Sequence, residues 1–341
     1  METILYLANT EADGTLGKPA LEALGAAVEL KNALGATLLA GLYGEQLKPA
    51  ADAIANCGAQ KILGVSGVDF AQPRYGSDAA ACEALARAAN PSIIITSGTS
   101  RAMRVMAGVT HRLGGRIDTH VSAIATEGGA VSVSRWFYRQ RIEATLSRSQ
   151  RPWIILVDPG TRPAWDGAAG SASVEAVAVV VPDTAKRTIV TGTVTPQADQ
   201  QTIRPDAKVL FVAGAGWTKK QKDGQTHVPD AEVLILDFLK HSKASLGGSK
   251  SIVDLGGDGQ ACLKFMTHMN QIGQTGATPR HPKGLSTCCH GEEPHVVGWR
   301  FIAERRAINL DANCGWARGK ADVLYIADAF EVMKKVNELL Q

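Results

Sequence analysis

Short aliphatic runs recur along the first half of the chain, and stretches rich in alanine and leucine lie between the first four of them. The apolar residues of these stretches follow helical spacing, so the pattern predicts parallel strands joined by crossover helices. The predicted strands are Thr3–Leu7, Thr37–Leu42, Lys61–Val65, Ser92–Thr96 and Trp153–Val157, and the predicted helices are Pro19–Leu34, Ala50–Cys57 and Ala79–Ala89.

After about residue 118 the pattern changes to strand-like pieces separated by turn residues such as Gly128 and Gly129. This change predicts an antiparallel extension of the first sheet, followed by a loop rich in glycine, proline and alanine. The predicted strands are His120–Thr126, Ala130–Arg135 and Arg141–Arg148, the aromatic and basic stretch Arg135–Arg139 separates the last two, and the loop is Pro159–Ser173.

Residues 190–206 are polar, contain two prolines and show neither the strand nor the helix period. They predict a linker between an N-terminal domain, residues 1–189, and a C-terminal domain, residues 207–341; a surface excursion within one domain is the alternative. The second domain begins another α/β series. Its predicted strands are Lys208–Val212, Ser251–Leu255 and Ala307–Asn309, and its predicted last helix is Phe330–Leu340.

The composition agrees with two α/β domains. The 341 residues include 35 glycines and 5% aromatic residues, which favours α/β units with tight loops over an all-β sandwich. A net charge of +3, from 36 basic and 33 acidic side chains, lacks the basic footprint of proteins that bind nucleic acid. The apolar runs are far shorter than the about 20 residues of a membrane helix. We therefore expect neither nucleic-acid binding nor membrane insertion.

Two features favour a cytoplasmic protein. The first residues of the chain are acidic and lack the basic start and apolar stretch of a secretory signal. The six cysteines are too sparse for a disulfide scaffold.

Three glycine-containing segments of the second half are candidates for cofactor binding: Val209–Gly216, Leu246–Asp254 and Gln271–Gly276. A glycine-rich turn after a strand lets backbone N–H groups approach a phosphate closely. The second segment adds the hydroxyl of Ser249 and the cation of Lys250, and the third adds the polar side chains of Gln274 and Thr275. Ordinary tight turns are the alternative for each segment.

A fourth segment, residues 288–295, carries side chains that can bind zinc or iron. Adjacent cysteines rarely both bind one ion, and no C-x₂-C or H-x₃-H spacing occurs, so the alternatives are a loop whose histidine hydrogen-bonds a cofactor and a structural histidine. The metal-binding types are Cys288, Cys289, His290 and His295, together with Cys314.

Motifs of common enzyme classes are missing from the sequence. It contains no G-x-S-x-G elbow, no Walker loop and no H-E-x-x-H motif, and no carboxylate pair is marked as a catalytic acid and base. Cofactor binding without acid–base machinery indicates electron transfer rather than group transfer.

The order of these motifs resembles the electron-transfer flavoprotein alpha subunit family, and the resemblance covers nearly the whole chain. The combination of S-K-x-x-V-D with a downstream Q-I-G-Q-T-G is more specific than either piece. The matching segments are Gly247–Asp254, Gln271–Gly276, His295, Ile308–Asp311 and Ala327–Asp328, with Gly98–Val105 and Arg135–Ala144 in the first half.

The resemblance implies an N-terminal parallel α/β sheet with an antiparallel extension and a C-terminal doubly wound α/β domain that binds FAD non-covalently. Thr275 would hydrogen-bond the flavin N5 edge, His295 would face the C2 carbonyl, and Lys250 would supply positive charge near the ring, which favours the reduced flavin. Ser249 and residues 271–274 would hold the ribityl chain and diphosphate. The implied cofactor-binding residues are Ser249, Lys250, Gln271, Ile272, Gly273, Gln274, Thr275, His290, Gly291, His295, Asn309 and Asp328, of which the last two lie towards the adenosine.

The sequence departs from the family pattern at three places. Ala215 stands where the family has an arginine, so one charge-assisted bond to the diphosphate is missing. Lys250 replaces an arginine that can stack on a ring. Glu292 and Glu293 stand where the family has small and apolar residues. These departures predict an altered flavin affinity or potential, or the loss of FAD.

The resemblance implies an electron carrier rather than an enzyme with its own substrate. Its partners would be a beta subunit, which completes a heterodimer, a flavoprotein dehydrogenase or demethylase as donor, and a downstream redox acceptor. Residues 190–206 would act as a hinge, and Arg135–Arg141 would anchor an interface or form a strand pair with solvated arginines. The alternatives are a scaffold subunit without FAD and a metal-dependent enzyme built on Cys288–His295.

Overall fold

The computed structural model of the chain comprises two α/β units, Met1–Val194 and Thr195–Gln341. It describes residues 2–138, 142–192, 203–204, 206–255, 260–272, 278–287, 301–314, 317–318 and 320–341. Each unit has its own sheet and its own core.

The first unit is built on a sheet with nine strands among the described residues. The strands are β1 (Thr3–Asn9), β2 (Thr37–Gly44), β3 (Ile62–Ser66), β4 (Ile93–Ser97), β5 (Arg116–Glu127), β6 (Ala130–Phe137), β7 (Ile142–Leu146), β8 (Trp153–Val157) and β9 (Glu175–Ala176). Their order is β7-β6-β5-β8-β4-β1-β2-β3-β9, and the strands from β5 to β9 in this order run parallel. The five predicted strands and the parallel arrangement are confirmed.

Helices cover both faces of this sheet. They are α1 (Lys18–Leu34), α2 (Lys48–Ala53), α3 (Tyr75–Ala89) and α4 (Ser100–Arg112). Ile4 and Tyr6 pack into the core that contains α1 and α2, whereas Leu5 and Leu7 pack into the core that contains α3 and α4. Because successive residues of β1 are buried on opposite faces, the strand is a continuous apolar run, as is typical of central parallel strands.

The antiparallel extension is also confirmed, with one correction. β6 pairs antiparallel with β5 and β7, and Gly128 and Gly129 form the tight turn between β5 and β6 with positive φ of 56° and 82°. Such φ values suit a two-residue hairpin turn and favour glycine. The aromatic and basic stretch does not separate two strands at Arg135. It continues β6 to Phe137, because Phe137 still pairs with Ile142 of β7.

The second unit has a sheet of five parallel strands among its described residues. The strands are β10 (Val209–Ala213), β11 (Ser245–Gly248), β12 (His281–Thr287), β13 (Ile302–Asn309) and β14 (Val323–Ile326), and the helices are α5 (Val228–Ser242), α6 (Lys250–Asp254) and α7 (Ala329–Leu340). The strand order is β11-β10-β12-β13-β14. Phe211 packs on the side of α5 and α7, and Leu210 packs on the opposite side with Ile272 and Phe301. The sheet is therefore covered on both faces, as a doubly wound domain requires.

One strand prediction in this unit is wrong. Ser251–Leu255 was expected to be a strand, but the strand is β11, and a short helix follows it. The Ser249 hydroxyl accepts a hydrogen bond from the Ile252 N–H at 3.3 Å, which caps α6. Serine at this position favours a helix start over a continuing strand.

The predicted linker lies partly outside the described residues, at 193–202 and 205. Its described end is held by the second unit, since the Arg204 N–H donates to Ser245 Oγ at 2.6 Å and its guanidinium donates to the Lys243 carbonyl at 2.5 Å. Ile203 packs against the core on the Leu210 side of the sheet. Residues 203 and 204 therefore belong to the second unit, and the hinge itself stays a prediction.

Candidate functional site

The carboxyl edge of the five-stranded sheet is the candidate site. β10 pairs with β11 on one side and with β12 on the other, so the strand order reverses between β10 and β12. In open α/β sheets, ligands bind in the crevice outside the carboxyl ends of the strands at such a switch point. The predicted binding residues that the structure describes all follow carboxyl ends of these strands or lie beside one.

Ser249 and Lys250 follow β11 directly. Ser249 is buried, and its N–H donates to the Ala213 carbonyl at the end of β10, at 3.0 Å. This bond joins the exits of the two neighbouring strands. Lys250 is largely exposed and forms an ion pair with Asp254 one turn later in α6. The positive charge that the family resemblance assigns to Lys250 is therefore partly compensated by a carboxylate of the same helix.

Gln271 and Ile272 lie beside the end of β11. Gln271 forms a parallel bridge with Gly248, and the Ile272 N–H donates to the Gly248 carbonyl at 3.2 Å. Ile272 is buried in the core, so its role is packing. Gln271 Oε1 is buried and has no hydrogen-bond partner within the described residues. A buried acceptor without a partner is costly unless a ligand or water satisfies it.

Asn309 and Asp328 meet at the ends of β13 and β14. The Ala327 N–H donates to the Asn309 carbonyl at 3.1 Å, and Asn309 Oδ1 accepts from the Asp311 N–H at 3.2 Å. Asp328 caps α7, with its Oδ1 accepting from the Phe330 N–H at 2.9 Å. Both residues line a shallow, nearly closed recess at this end of the edge, together with Gln221, and we call this recess the cleft.

The other predicted binding residues lie outside the described residues. They are Gly273, Gln274, Thr275, His290, Gly291 and His295, and the cysteine–histidine cluster at 288–295 lies there as well. Within the described part of the chain, no group of three or more histidine, cysteine, aspartate or glutamate side chains is placed to hold a metal ion. Cys314 is described, and it is buried and forms no disulfide with another described cysteine.

The glycine-rich turn after β10 is packed more tightly than phosphate binding requires. Its residues Ala215–Thr218 form a buried 3-10 turn, and the Gly214 N–H donates to the Thr287 carbonyl at 2.9 Å. This amide is therefore used within the sheet, which supports the alternative of a tight strand-to-helix turn. Ala215 is buried, so no cation replaces the missing arginine at that position.

Sequence reasoning missed two residues of this edge, Trp217 and Gln221. Trp217 is fully buried, its Nε1–H donates to Thr287 Oγ1 at 2.8 Å, and its ring packs on Phe330 with centroids 4.6 Å apart. It thus joins the exits of β10 and β12 to the start of α7. A tryptophan next to the glycine-rich turn was the available signal.

In the first unit, the stretch Arg135–Arg141 was predicted to anchor an interface; residues 139–141 lie outside the described residues, and Arg135 is used internally. Arg135 donates to Asp118 Oδ1 at 3.0 Å, and its guanidinium lies 4.4 Å from the Phe137 ring centroid. Burial opposes ionisation of the Asp118 carboxyl, but hydrogen bonds from Arg148, Arg135 and Trp153 outweigh it and hold its pKa below the usual range. The exposed apolar side chain at this end of β6 is Tyr138 instead.

Among the helices of the described residues, none has both the length and the apolar character needed to cross a bilayer.

Two α/β units, the second with polar side chains at the switch point of a parallel sheet, place the chain in the class of α/β proteins whose ligands bind at the carboxyl ends of the strands. The model of the electron transfer flavoprotein domain matches residues 4–183, more than half of the chain. The chain therefore belongs to the electron transfer flavoprotein family. It is also similar to Protein FixB of Clostridium saccharobutylicum, with 25% identity over 311 residues, which covers 88% of this chain and 85% of that protein. Its role is that of an electron-transfer flavoprotein-like protein.

Proposed function

We propose that the chain is the alpha subunit of a heterodimeric electron-transfer flavoprotein that binds FAD in its second unit. The observation that carries this proposal is the convergence of Ser249, Gln271, Asn309 and Asp328 on the carboxyl edge of one parallel sheet. These polar groups fit a dinucleotide, because they combine a hydroxyl, two amides and a carboxylate. One of the amide oxygens, Gln271 Oε1, is buried and has no hydrogen-bond partner among the described residues.

Each described residue has a role in this proposal. Ser249 donates its hydroxyl proton towards the diphosphate or ribityl chain, while its oxygen caps α6. Asn309 and Asp328 would hold the adenosine end, and the Asp328 carboxylate would act as a hydrogen-bond acceptor for a ribose hydroxyl. Lys250 supplies positive charge near the ring, weakened by Asp254. Thr275 and His295, assigned to the flavin N5 edge and C2 carbonyl, lie outside the described residues.

The bound flavin would supply one- and two-electron transfer, and the protein would bind, orient and tune it. We propose that electrons enter from a flavoprotein dehydrogenase or demethylase and leave to a downstream redox acceptor.

The test is to purify the chain with its beta subunit and measure flavin absorbance and content. We expect a yellow heterodimer with one FAD per alpha subunit. Asp328→Asn should weaken FAD binding, because the ribose hydroxyl loses a charged acceptor, while Asp311→Asn in the adjoining turn is the matched control. A folded, colourless heterodimer would contradict the proposal.

A second hypothesis is a scaffold subunit that has lost FAD. Ala215 favours it, because this buried side chain leaves the diphosphate without the arginine of the family pattern. FAD titration into the purified complex separates the two hypotheses: stoichiometric binding supports the carrier, and no binding supports the scaffold.

The described cysteines, Cys57, Cys82, Cys262 and Cys314, form no disulfide with one another. This agrees with a reducing compartment, and we propose that the complex works in the cytoplasm.

A further inference from the structure

Residues 219–227 form a small hairpin immediately after the buried turn Ala215–Thr218. Lys220 and Thr226 pair antiparallel, and the Gln221 N–H donates to the Gln225 carbonyl at 2.8 Å. Gly224 adopts a positive φ of 79°, a conformation that favours glycine, and its N–H donates to the Gln221 carbonyl at 2.9 Å. We call this segment the 219–227 hairpin.

The 219–227 hairpin borders the cleft at the ends of β13 and β14. Gln221 lines this cleft with Asn309 and Asp328. Its Nε2 donates to the Gly216 carbonyl at 3.1 Å and to the Lys219 carbonyl at 2.7 Å. Because these bonds use both amide protons, the amide oxygen is the atom with which Gln221 can accept a hydrogen bond from a ligand.

His227 ties the hairpin to helix α5. Its Nε2 lies 2.7 Å from Asp223 Oδ2 in the hairpin, and its Nδ1 lies 3.2 Å from Asp230 Oδ2 in the first turn of α5. The ring also meets Phe330 edge-on in the first turn of α7, with centroids 6.3 Å apart. Ionised carboxylates only accept hydrogen bonds, so both ring nitrogens must carry protons for both bonds to form. The complete tie therefore requires the imidazolium form.

The charges around His227 agree with this geometry. The hydrogen bond to Asp223 is the main cause that raises the pKa of His227; desolvation opposes it, and the bond to Asp230 adds to the rise. The charged groups that face the ring are Asp223 from the hairpin and Asp230 from α5, and Phe330 from α7 is uncharged. When pH rises through the raised pKa, the ring loses one proton and one of the two bonds.

We propose that His227 is a positioning residue whose protonated ring holds the 219–227 hairpin against the cleft and so retains the adenosine diphosphate portion of a dinucleotide cofactor. The retention part of this inference rests on the proposed FAD site, whereas the tie between hairpin and helix does not. Deprotonation releases the hairpin, and the bound dinucleotide then dissociates faster.

The first experiment uses the heterodimer without FAD and follows amide hydrogen exchange of residues 219–227 from pH 6 to 9, corrected for intrinsic exchange. Protection in the wild type should fall as pH rises, because the tie loses a proton. His227→Gln should show the low protection at every pH. His111→Gln, on α4 of the first unit, is the matched control and should behave as the wild type. Unchanged protection in His227→Gln would overturn the proposal.

The second experiment measures FAD release from the loaded heterodimer. The heterodimer is diluted into buffer that contains an excess of a flavin-free apoprotein, which traps the released FAD. His227→Gln should release FAD about two- to fivefold faster at low pH, the range expected for exposed ion pairs, and without the pH dependence of the wild type. His227→Lys keeps a positive charge and should release FAD slowly at every pH. Equal rates for His227→Gln and the wild type would overturn the retention role. A chain that binds no FAD contradicts the proposed function, while the exchange experiment still tests the tie.

Discussion

At the residue scale, Trp217 shows how one side chain organises the candidate site. Its indole N–H is fully buried and bonds Thr287 Oγ1, and Thr287 in turn donates to the Val212 carbonyl at 3.3 Å. These two hydrogen bonds link the carboxyl ends of β10 and β12 and hold them at a fixed distance from each other. A buried donor that loses its acceptor costs more than the net value of the bond.

Thr287→Val should therefore destabilise the second unit by about 1–3 kcal/mol, because valine keeps the shape of threonine but leaves the Trp217 N–H without this acceptor. Urea unfolding, monitored in the second unit, measures the effect. Thr287→Ser keeps the hydroxyl and is the control, which should cost less. Equal losses for the two variants would show that the hydroxyl contributes little.

In the first unit, Asp118 is the buried polar side chain that joins neighbouring strands, as Trp217 does in the second unit. Its carboxylate is fully buried and accepts from Arg135, Arg148 and the Trp153 indole N–H, so it joins β5, β6 and β8. Removing one partner of a buried ion pair leaves the others with uncompensated charge.

Asp118→Asn should destabilise the first unit by about 3 kcal/mol near neutral pH. The folded-state pKa of Asp118 is lowered, so its stabilisation is fully present above the unfolded pKa of about 3.9 and is lost as pH falls through the folded value. The difference in unfolding free energy between wild type and variant should therefore shrink below about pH 4. A difference that stays constant down to pH 2 would contradict this account.

The sequence could identify some site residues but not others. Ser249, Lys250, Asn309 and Asp328 were selected through the resemblance of short motifs to a family, and the structure places them at or just after strand ends, while their role as cofactor ligands stays a prediction. The role of Trp217 depends on a partner 70 residues away, which no local pattern contains.

At the element scale, the close approach of residues 271–272 to β11 explains the two glycines at its end. A Cβ on Gly247 would lie 2.4 Å from Ile272 Cδ1, and one on Gly248 would lie 3.0 Å from Met266 Sδ. The glycines are therefore required by packing, whatever a phosphate adds. The crossing segment brings Gln271 to the site only because β11 carries no side chains there.

Gly247→Ala should push Ile272 away from β11, destabilise the second unit and lower the FAD content of the purified heterodimer. Gly192→Ala is the control, because a Cβ there meets nothing within 4 Å. Ile272→Val removes one methyl group and should partly restore FAD content in the Gly247→Ala background. Normal FAD content in the single variant would contradict the packing argument.

The elements of the first unit were easier to predict than those of the second. Central parallel strands such as β4 and β8 are buried on both faces, so each is an unbroken aliphatic run in the sequence. In contrast, β11 is Ser-Leu-Gly-Gly and β12 contains proline and lysine, and neither has strand-like composition. Pairing with β10 makes them strands, and that is a tertiary effect.

At the scale of the whole molecule, the first unit carries the match to the family and the second unit carries the candidate cofactor site. The family match lies within residues 4–183, whereas the candidate cofactor site lies beyond residue 207. The hydrophobic clusters of the first unit share no residue with those of the second. A ligand that binds the second unit can therefore stabilise the core of that unit without stabilising the core of the first.

FAD binding should consequently slow hydrogen exchange in the second unit alone. At a free FAD concentration of about 100 times Kd, a ligand that binds only the folded state adds about 2.7 kcal/mol, which is a roughly hundredfold slowing of amides that exchange by unfolding of that unit. We expect this slowing in β10 and β12, compared with heterodimer stripped of FAD. The amides of β1 and β4 serve as the internal control, because their core belongs to the other unit. Comparable slowing in β1 and β4 would show that the two units unfold together, and slowing in neither would place FAD elsewhere in the complex.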